Sequence, residues 1–139
     1  MGKQHVLIVD DSPVQLRTII NFLQAGNYQV SVACDGQEGI EAAKTRRPDI
    51  ILMDLVMPGM NGFQATRQLS HNEETAHIPV IICSSKSTDS DRTWALRQGA
   101  KDYLVKPIQQ QELLAAINRE LNSVTNGAVV GAERYEQSL

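Results

Sequence analysis

The sequence predicts an α/β fold in which helices cover both faces of a parallel sheet. Short apolar runs alternate with segments of helical periodicity along the chain. This alternation is typical of βα units, in which each helix carries the chain back to a parallel strand. Most of the runs are apolar at every position, as expected of strands that are buried on both faces.

The first strand and helix carry clear local signals. The apolar run 6–9 predicts the strand, and Ser12 and Pro13 predict the N-cap and the first position of the helix. Apolar residues at helical spacing follow until Gly26, which predicts the end of the helix. The next run, 28–32, alternates apolar and polar residues and therefore predicts a half-exposed strand at an edge of the sheet.

The rest of the chain repeats the same alternation. A second helix is predicted from Asp35 to the residue before Pro48, because proline excludes further helix. Three more apolar runs predict strands, and each is followed by a helix. The predicted strands are 50–53, 80–83 and 103–105. The first two of the helices that follow them end at Leu69 and Gly99. The last helix has an apolar stripe and ends near residue 122; the stripe is Leu113, Ile117 and Leu121.

Length and composition indicate one globular domain. Of the 139 residues, 42% are hydrophobic and 21% charged, and we expect residues 1–123 to form the domain and 124–139 a flexible tail. A net charge of −3 without a dense lysine or arginine stripe argues against nucleic-acid binding. Because the chain shows neither an apolar run of membrane-spanning length nor a signal-peptide pattern, we expect no membrane insertion and a cytoplasmic location.

The cysteines and histidines do not indicate a disulfide or a transition-metal site. Cys34 and Cys83 lie far apart in apolar stretches, and we expect both to be reduced thiols that fill the core. His5, His71 and His77 lack the spacing of metal ligands, so we expect them to be solvated or locally hydrogen-bonded.

Five polar residues stand at the carboxyl ends of the predicted buried strands. Asp10 and Asp11 follow the first strand, and Asp54, Ser84 and Lys106 follow the later ones. In an open parallel sheet, ligands bind at this edge. Each residue alone has a simpler explanation, since an aspartate here often caps a helix and a lysine before proline often lies in a loop. Their occurrence together predicts one polar pocket.

The residue types in this pocket point to phosphoryl chemistry. Three carboxylates in one place repel one another, and a bound divalent cation would relieve that repulsion. Mg²⁺ suits the site because it prefers hard oxygen ligands and keeps several waters. Lys106 and Ser84 can then contact phosphoryl oxygens, and a carboxylate itself is the expected nucleophile, which would yield an aspartyl phosphate.

Four segments at the carboxyl ends of the predicted strands have a distinctive sequence. They are Val9-Asp10-Asp11-Ser12, Asp54-Leu55-Val56-Met57-Pro58-Gly59-Met60-Asn61-Gly62, Ser84-Ser85 and Tyr103-Leu104-Val105-Lys106-Pro107. Together they resemble the CheY-like receiver domains of two-component signalling, over about residues 5–122. The resemblance implies a flavodoxin-like, doubly wound sheet of five parallel strands in the order 2-1-3-4-5. It also implies a response regulator that takes a phosphoryl group from a sensor histidine kinase and binds a downstream target protein.

The resemblance implies a role for each residue of the pocket. Asp54 is the implied phosphoacceptor, and Ser84 and Lys106 would assist the transfer. The Lys106-Pro107 bond is expected to be cis, which costs little before proline. Asn61 stands where the family more often has Asp, a loop change without a catalytic consequence. The implied magnesium ligands are Asp10, Asp11, Asp54 and the carbonyl of Val56.

The resemblance also implies which residues control the signal. Ser84 and Tyr103 match the pair that couples phosphorylation to the surface of the fourth helix, the fifth strand and the fifth helix. Ordinary packing on a half-exposed edge strand is the alternative explanation of Tyr103, but its pairing with Ser84 favours the switch role. Val56 and Lys86 would flank the path of the hydrolytic water, and because neither side chain orients that water we expect slow dephosphorylation.

Two further segments, 62–69 and 96–103, look like stand-alone regulators of pilus-driven twitching motility. They imply a role in motility or chemosensory control. Trp94, on the fourth helix, is expected to pack in the core, and the alternative is a partner surface. The face formed by the fourth and fifth helices can serve as a docking or a dimer surface, so a monomer or a weak dimer is expected.

Two other functions are compatible with this fold. A phosphorelay carrier or phosphate sink would hand the phosphoryl group to another histidine protein. An aspartate-nucleophile phosphohydrolase of the haloacid-dehalogenase type would need a second aspartate two positions after Asp54, where Val56 stands. We therefore expect the chain not to be an enzyme beyond its own phosphorylation and dephosphorylation.

Overall fold

The computed structural model describes residues 2–123, in which five strands alternate with five helices. The predicted tail, 124–139, lies outside these residues. None of the helices in the described part is long and apolar enough to cross a membrane. The elements are β1 His5–Val9, α1 Pro13–Ala25, β2 Gln29–Ala33, α2 Gly36–Arg46, β3 Ile50–Met53, α3 Gly62–Ser70, β4 Val80–Ser84, α4 Asp89–Arg97, β5 Asp102–Val105 and α5, helical over 110–123.

The strands form one parallel sheet in the predicted order, β2-β1-β3-β4-β5. β1 lies between β2 and β3, so the direction in which strands are added reverses at β1. Val9, the last residue of β1, pairs with Ala33 of β2 and with Met53 of β3. The carboxyl ends of these strands are therefore level where the strand order reverses, which is the place where open α/β sheets form a ligand-binding crevice.

Two apolar layers hold the helices against the sheet. α1 and α5 pack on one face through buried residues such as Leu23 and Ile117. α2, α3 and α4 pack on the other face through Ile40, Leu69 and Ala95. Because successive side chains of a strand point to opposite faces, the central strands supply both layers. This explains why their sequences are apolar at every position.

Polar caps begin the first two helices at the predicted residues. The Ser12 hydroxyl accepts a hydrogen bond from the Gln15 N–H at 3.4 Å, and Pro13 is the first residue of α1. The Asp35 carboxylate accepts a hydrogen bond from the Glu38 N–H at 2.8 Å at the start of α2. Both predicted helix starts are confirmed.

β2 is a half-exposed edge strand, as predicted, but its residues do not simply alternate between core and solvent. Ser31 is buried, whereas Val32 is exposed. The burial of Ser31 is compensated because its hydroxyl is hydrogen-bonded to the His5 imidazole and to the Arg46 guanidinium. The His71 imidazole is hydrogen-bonded to the Arg67 carbonyl one turn earlier in α3, so local hydrogen bonding is confirmed for His71, whereas the partner of His5 lies on the neighbouring strand.

Two side chains that were expected in the core lie outside it. Cys34 is exposed because it follows the end of the edge strand β2, whereas Cys83, in the central strand β4, is buried as predicted. Trp94 is 48% exposed, so its predicted core packing is wrong. α4 contributes only Ala95 to the buried layer, and Trp94 lies instead with Phe63 beside an open surface groove.

Thr66, on α3, gives a test of the core. Its side chain is fully buried, yet among the described residues its hydroxyl has no hydrogen-bond partner. Thr66→Val keeps the shape and removes a desolvated hydroxyl, so we expect the free energy of unfolding to rise by about 1 kcal/mol. Urea unfolding followed by circular dichroism measures this change.

Thr75 offers the matched control, because its buried hydroxyl donates a hydrogen bond to the Leu69 carbonyl at 2.7 Å. Thr75→Val leaves that carbonyl without its donor and should lower the free energy of unfolding by about 1–2 kcal/mol. Equal destabilisation of the two variants would contradict this account of Thr66.

Candidate functional site

The predicted polar residues meet at the carboxyl edge of the sheet, where β1 and β3 end side by side. The backbone N–H of Asp54 donates to the Val9 carbonyl at 2.9 Å, and that of Asp10 donates to the Ala33 carbonyl at 3.1 Å. These bonds continue the strand ladders by one residue beyond each strand. The two aspartates are thereby fixed to the rigid sheet rather than to mobile loops.

Three carboxylates form a cluster at this edge. One oxygen each of Asp10, Asp11 and Asp54 lies within 4.8 Å of the others. Asp10 is buried, Asp54 is half-buried and Asp11 is exposed, so the cluster opens to solvent on one side. The backbone N–H of Ser12 donates to Oδ1 of Asp10 at 2.9 Å and fixes the orientation of that carboxylate.

Lys106 reaches into the cluster from the end of β5. Its Nζ lies 2.9 Å from Oδ2 of Asp10 and 3.3 Å from Oδ1 of Asp54, so the ammonium bridges two of the three carboxylates. The backbone N–H of Lys106 donates to the Ser84 carbonyl at 2.8 Å, which anchors the residue to β4. The peptide bond between Lys106 and Pro107 is cis, as expected.

Among residues 2–123, the positive charge that contacts the cluster does not balance its carboxylates. Burial, and secondarily the negative charge of Asp10, raise the pKa of Asp54 above its usual value, although Lys106 opposes that rise. Burial alone would lower the pKa of Lys106, but its contacts with Asp10 and Asp54 outweigh burial and raise it. One ammonium faces three carboxylates, so hard oxygen donors and excess negative charge fit a divalent cation such as Mg²⁺.

Gly62 packs directly against the backbone of Asp54 and Leu55, a role that was not predicted from the sequence. A Cβ atom at this position would lie 2.1 Å from the Asp54 carbonyl oxygen and 2.8 Å from the Leu55 Cα. The Gly62 N–H donates to the Leu55 carbonyl at 2.9 Å. Only glycine permits this approach, and the available signal was its position directly after the Asn61 cap of α3.

Ser84 and Tyr103 are connected through the backbone of Lys86. The Ser84 hydroxyl, 1% exposed at the end of β4, accepts a hydrogen bond from the Lys86 N–H at 3.2 Å. The Tyr103 hydroxyl donates to the Lys86 carbonyl at 2.7 Å. Tyr103 is only 3% exposed although β5 is an edge strand. Burial raises the pKa of its hydroxyl.

Arg92, on α4, covers the Tyr103 ring at the sheet edge. Its guanidinium carbon lies 5.3 Å from the ring centroid. This contact depends on how α4 is placed against β5, which no pattern in the sequence indicates.

The two residues predicted to flank the water path are both exposed. Val56, two residues after Asp54, is 62% exposed, and the Lys86 side chain is also exposed. Cys83 is buried, and burial raises the pKa of its thiol to about 12. That thiol therefore stays protonated and unreactive at neutral pH.

The chain matches known proteins over most of its length. Residues 6–118 match the family described as the response regulator receiver domain. The chain is 48% identical over 116 residues to protein PilH of Pseudomonas aeruginosa, covering 84% of this chain and 96% of PilH. It is 36% identical over 120 residues to the chemotaxis protein CheY of Thermotoga maritima, covering 86% of this chain and 98% of that protein. Several other relatives are longer, and the chain spans about half of their length or less.

Solved structures share the fold. The crystal structure of the receiver domain of the sensor histidine kinase PA1611 from Pseudomonas aeruginosa PAO1 superposes with a TM-score of 0.81 at 32% identity. The superposition covers 88% of this chain and all of that domain, which has a magnesium ion coordinated in its active site cleft. Sequence and fold agree: the chain belongs to the response regulator receiver domain family.

Proposed function

We propose that this chain is a phosphorylation-controlled response regulator that accepts a phosphoryl group from a sensor histidine kinase on Asp54. The observation that carries the proposal is the cluster of Asp10, Asp11 and Asp54, with Lys106 bridging two of its carboxylates. Proteins of this family are signalling proteins of two-component systems. The chain itself then acts only in its own phosphorylation and dephosphorylation.

In the proposed transfer, a carboxylate oxygen of Asp54 attacks the phosphorus of a phosphohistidine. A phosphorus–oxygen bond forms, the phosphorus–nitrogen bond breaks, and the electron pair returns to the histidine nitrogen. Lys106 is already in contact with Oδ1 of Asp54 and can follow the phosphoryl oxygens, and Ser84 can donate its hydroxyl to another. Such transfers depend mostly on positioning and charge neutralisation.

Asp10, Asp11, Asp54 and the carbonyl of Val56 are the proposed ligands of Mg²⁺. When bound, the ion would neutralise the charge that develops on the transferring group. The magnesium ion in the related PA1611 receiver domain supports this assignment, as does the excess of carboxylates over ammonium groups here.

The proposed output is a change in the surface formed by α4, β5 and α5. A Ser84 hydroxyl that turns toward a phosphoryl group releases the N–H of Lys86. The carbonyl of the same residue accepts the hydrogen bond from the Tyr103 hydroxyl, so the release can reach the tyrosine. A two-position element of this kind can convert a local change into a binding signal. Similarity to PilH and CheY supports a target protein in motility or chemosensory control.

We expect acetyl phosphate to phosphorylate Asp54 only when Mg²⁺ is present, because the acidic cluster repels a phosphoryl dianion until its charge is offset. Intact-protein mass spectrometry would detect the added phosphoryl group in the wild type. Asp54→Asn is the matched control, since it keeps the shape and removes the nucleophile. Equal mass shifts in both proteins, or uptake in excess chelator, would disprove the assignment.

We expect Lys106→Ala to retain the fold and still accept a phosphoryl group, but to lose its effect on Tyr103. Lys106 would be the group that senses the phosphoryl oxygens, so its removal uncouples the pocket from the switch. The shift of the Tyr103 NMR signal on phosphorylation measures the coupling. Lys101→Ala, an exposed lysine before β5, is the control. An undiminished shift in Lys106→Ala would argue against this role.

We expect slow loss of the phosphoryl group, and about tenfold faster loss in Val56→Asn. The exposed valine offers no hydrogen bond to an incoming water, whereas an amide can orient one. Release of phosphate over time, together with the melting temperature of each protein, checks the prediction. Hydrolysis at the wild-type rate or slower in Val56→Asn would show that this side chain does not control the water.

A further inference from the structure

Arg92 holds Tyr103 in two ways. Its guanidinium carbon lies 5.3 Å from the centroid of the ring, within the range of a cation–π interaction. Its Nη1 donates a hydrogen bond to the Tyr103 carbonyl at 3.3 Å. One side chain on α4 therefore contacts both the ring and the backbone of one residue on β5.

Tyr103 is held at its far end as well. Its hydroxyl donates to the Lys86 carbonyl at 2.7 Å, and the Lys86 N–H donates to the Ser84 hydroxyl at 3.2 Å. Ser84 ends β4 beside the acidic cluster. Direct contacts thus run from Ser84, through the loop between β4 and α4 and across the Tyr103 ring, to Arg92 on the surface of α4.

We propose that Arg92 is a positioning residue that keeps the Tyr103 ring in its buried orientation. The ring lies at the edge of the sheet, where an edge strand alone would leave it half-exposed, yet only 3% of Tyr103 is accessible. A planar guanidinium suits this place because it can stack over a ring and donate to a carbonyl at the same time. The consequence for signalling rests on the proposed function: Arg92 would make α4 part of the unit that responds to phosphorylation.

The simpler explanation is that Arg92 only covers apolar surface with its aliphatic stem. In that case any long side chain at this position would serve, and the ring would stay buried without the guanidinium. The chain offers a matched control on the same helix. Arg97 lies in the groove beside Trp94 and Phe63, on another side of α4 from Arg92.

Fluorotyrosine labelling tests the proposal in the unphosphorylated protein. The chain has three tyrosines, so Tyr103→Phe assigns the signal. Broadening by a soluble paramagnetic probe then reports how exposed the ring is. In Arg92→Ala we expect the ratio of exposed to buried ring to rise by about two- to fivefold. Arg97→Ala should match the wild type.

Arg92→Met and Arg92→Lys separate the two explanations. Methionine keeps a long apolar chain, so it should release the ring if the guanidinium matters and hold it if only coverage matters. Lysine keeps the cation without the planar fork and should restore part of the burial. A ring as buried in Arg92→Ala or Arg92→Met as in the wild type would overturn the proposal. Circular dichroism confirms that each variant is folded.

Beryllofluoride with Mg²⁺, a mimic of the phosphoryl group, separates this proposal from the proposed function. Because the buried ring completes the chain of contacts to the pocket, Arg92→Ala should need about two- to fivefold more beryllofluoride to reach half of the Tyr103 response. If no protein responds to beryllofluoride, the proposed function fails. Release of the ring in Arg92→Ala would still support the role of Arg92.

Discussion

The ammonium of Lys106, bridging the carboxylates of Asp10 and Asp54, is the contact on which the site depends. It forms only because β5 ends at the same edge of the sheet as β1 and β3, although two strands separate β5 from β1. The bridge opposes but does not cancel the effects of burial and of the Asp10 charge, which together raise the pKa of Asp54. The pocket is left with an excess of negative charge that a cation can neutralise.

Rigid backbone makes this charge arrangement possible. Asp10 and Asp54 extend strands that are covered by helices on both faces, and Gly62 lets the chain pass within contact distance of the Asp54 carbonyl. Carboxylates on flexible loops would move apart to reduce their repulsion. Here the hydrogen bonds of the strand ladders and the packed layers resist that movement. The apolar core therefore keeps the carboxylates close together despite their mutual repulsion.

The sequence pattern predicted the strands and the residues of the cluster, whereas the strand order followed only from the resemblance to CheY-like receiver domains. A run apolar at every position indicates burial on both faces, and a polar residue after it must lie at the sheet edge. Periodicity does not say how closely a helix covers an edge strand. The environments of Trp94, Tyr103 and Arg92 depend on the placement of α4 against β5. Core packing was therefore predicted wrongly for Trp94, and the contact of Arg92 with the Tyr103 ring was missed.

Lys86 shows how one residue can contribute to two separate properties of the proposed switch. Its N–H and carbonyl connect Ser84 to Tyr103, and both of these contacts use backbone atoms. Its side chain is exposed and lies outside those contacts. In the proposed function, a change of this side chain would therefore alter the access of water to the phosphoryl group while the backbone connection is retained. The lifetime of the phosphorylated state and the coupling to α4 are then independent, because they depend on different atoms of the same residue.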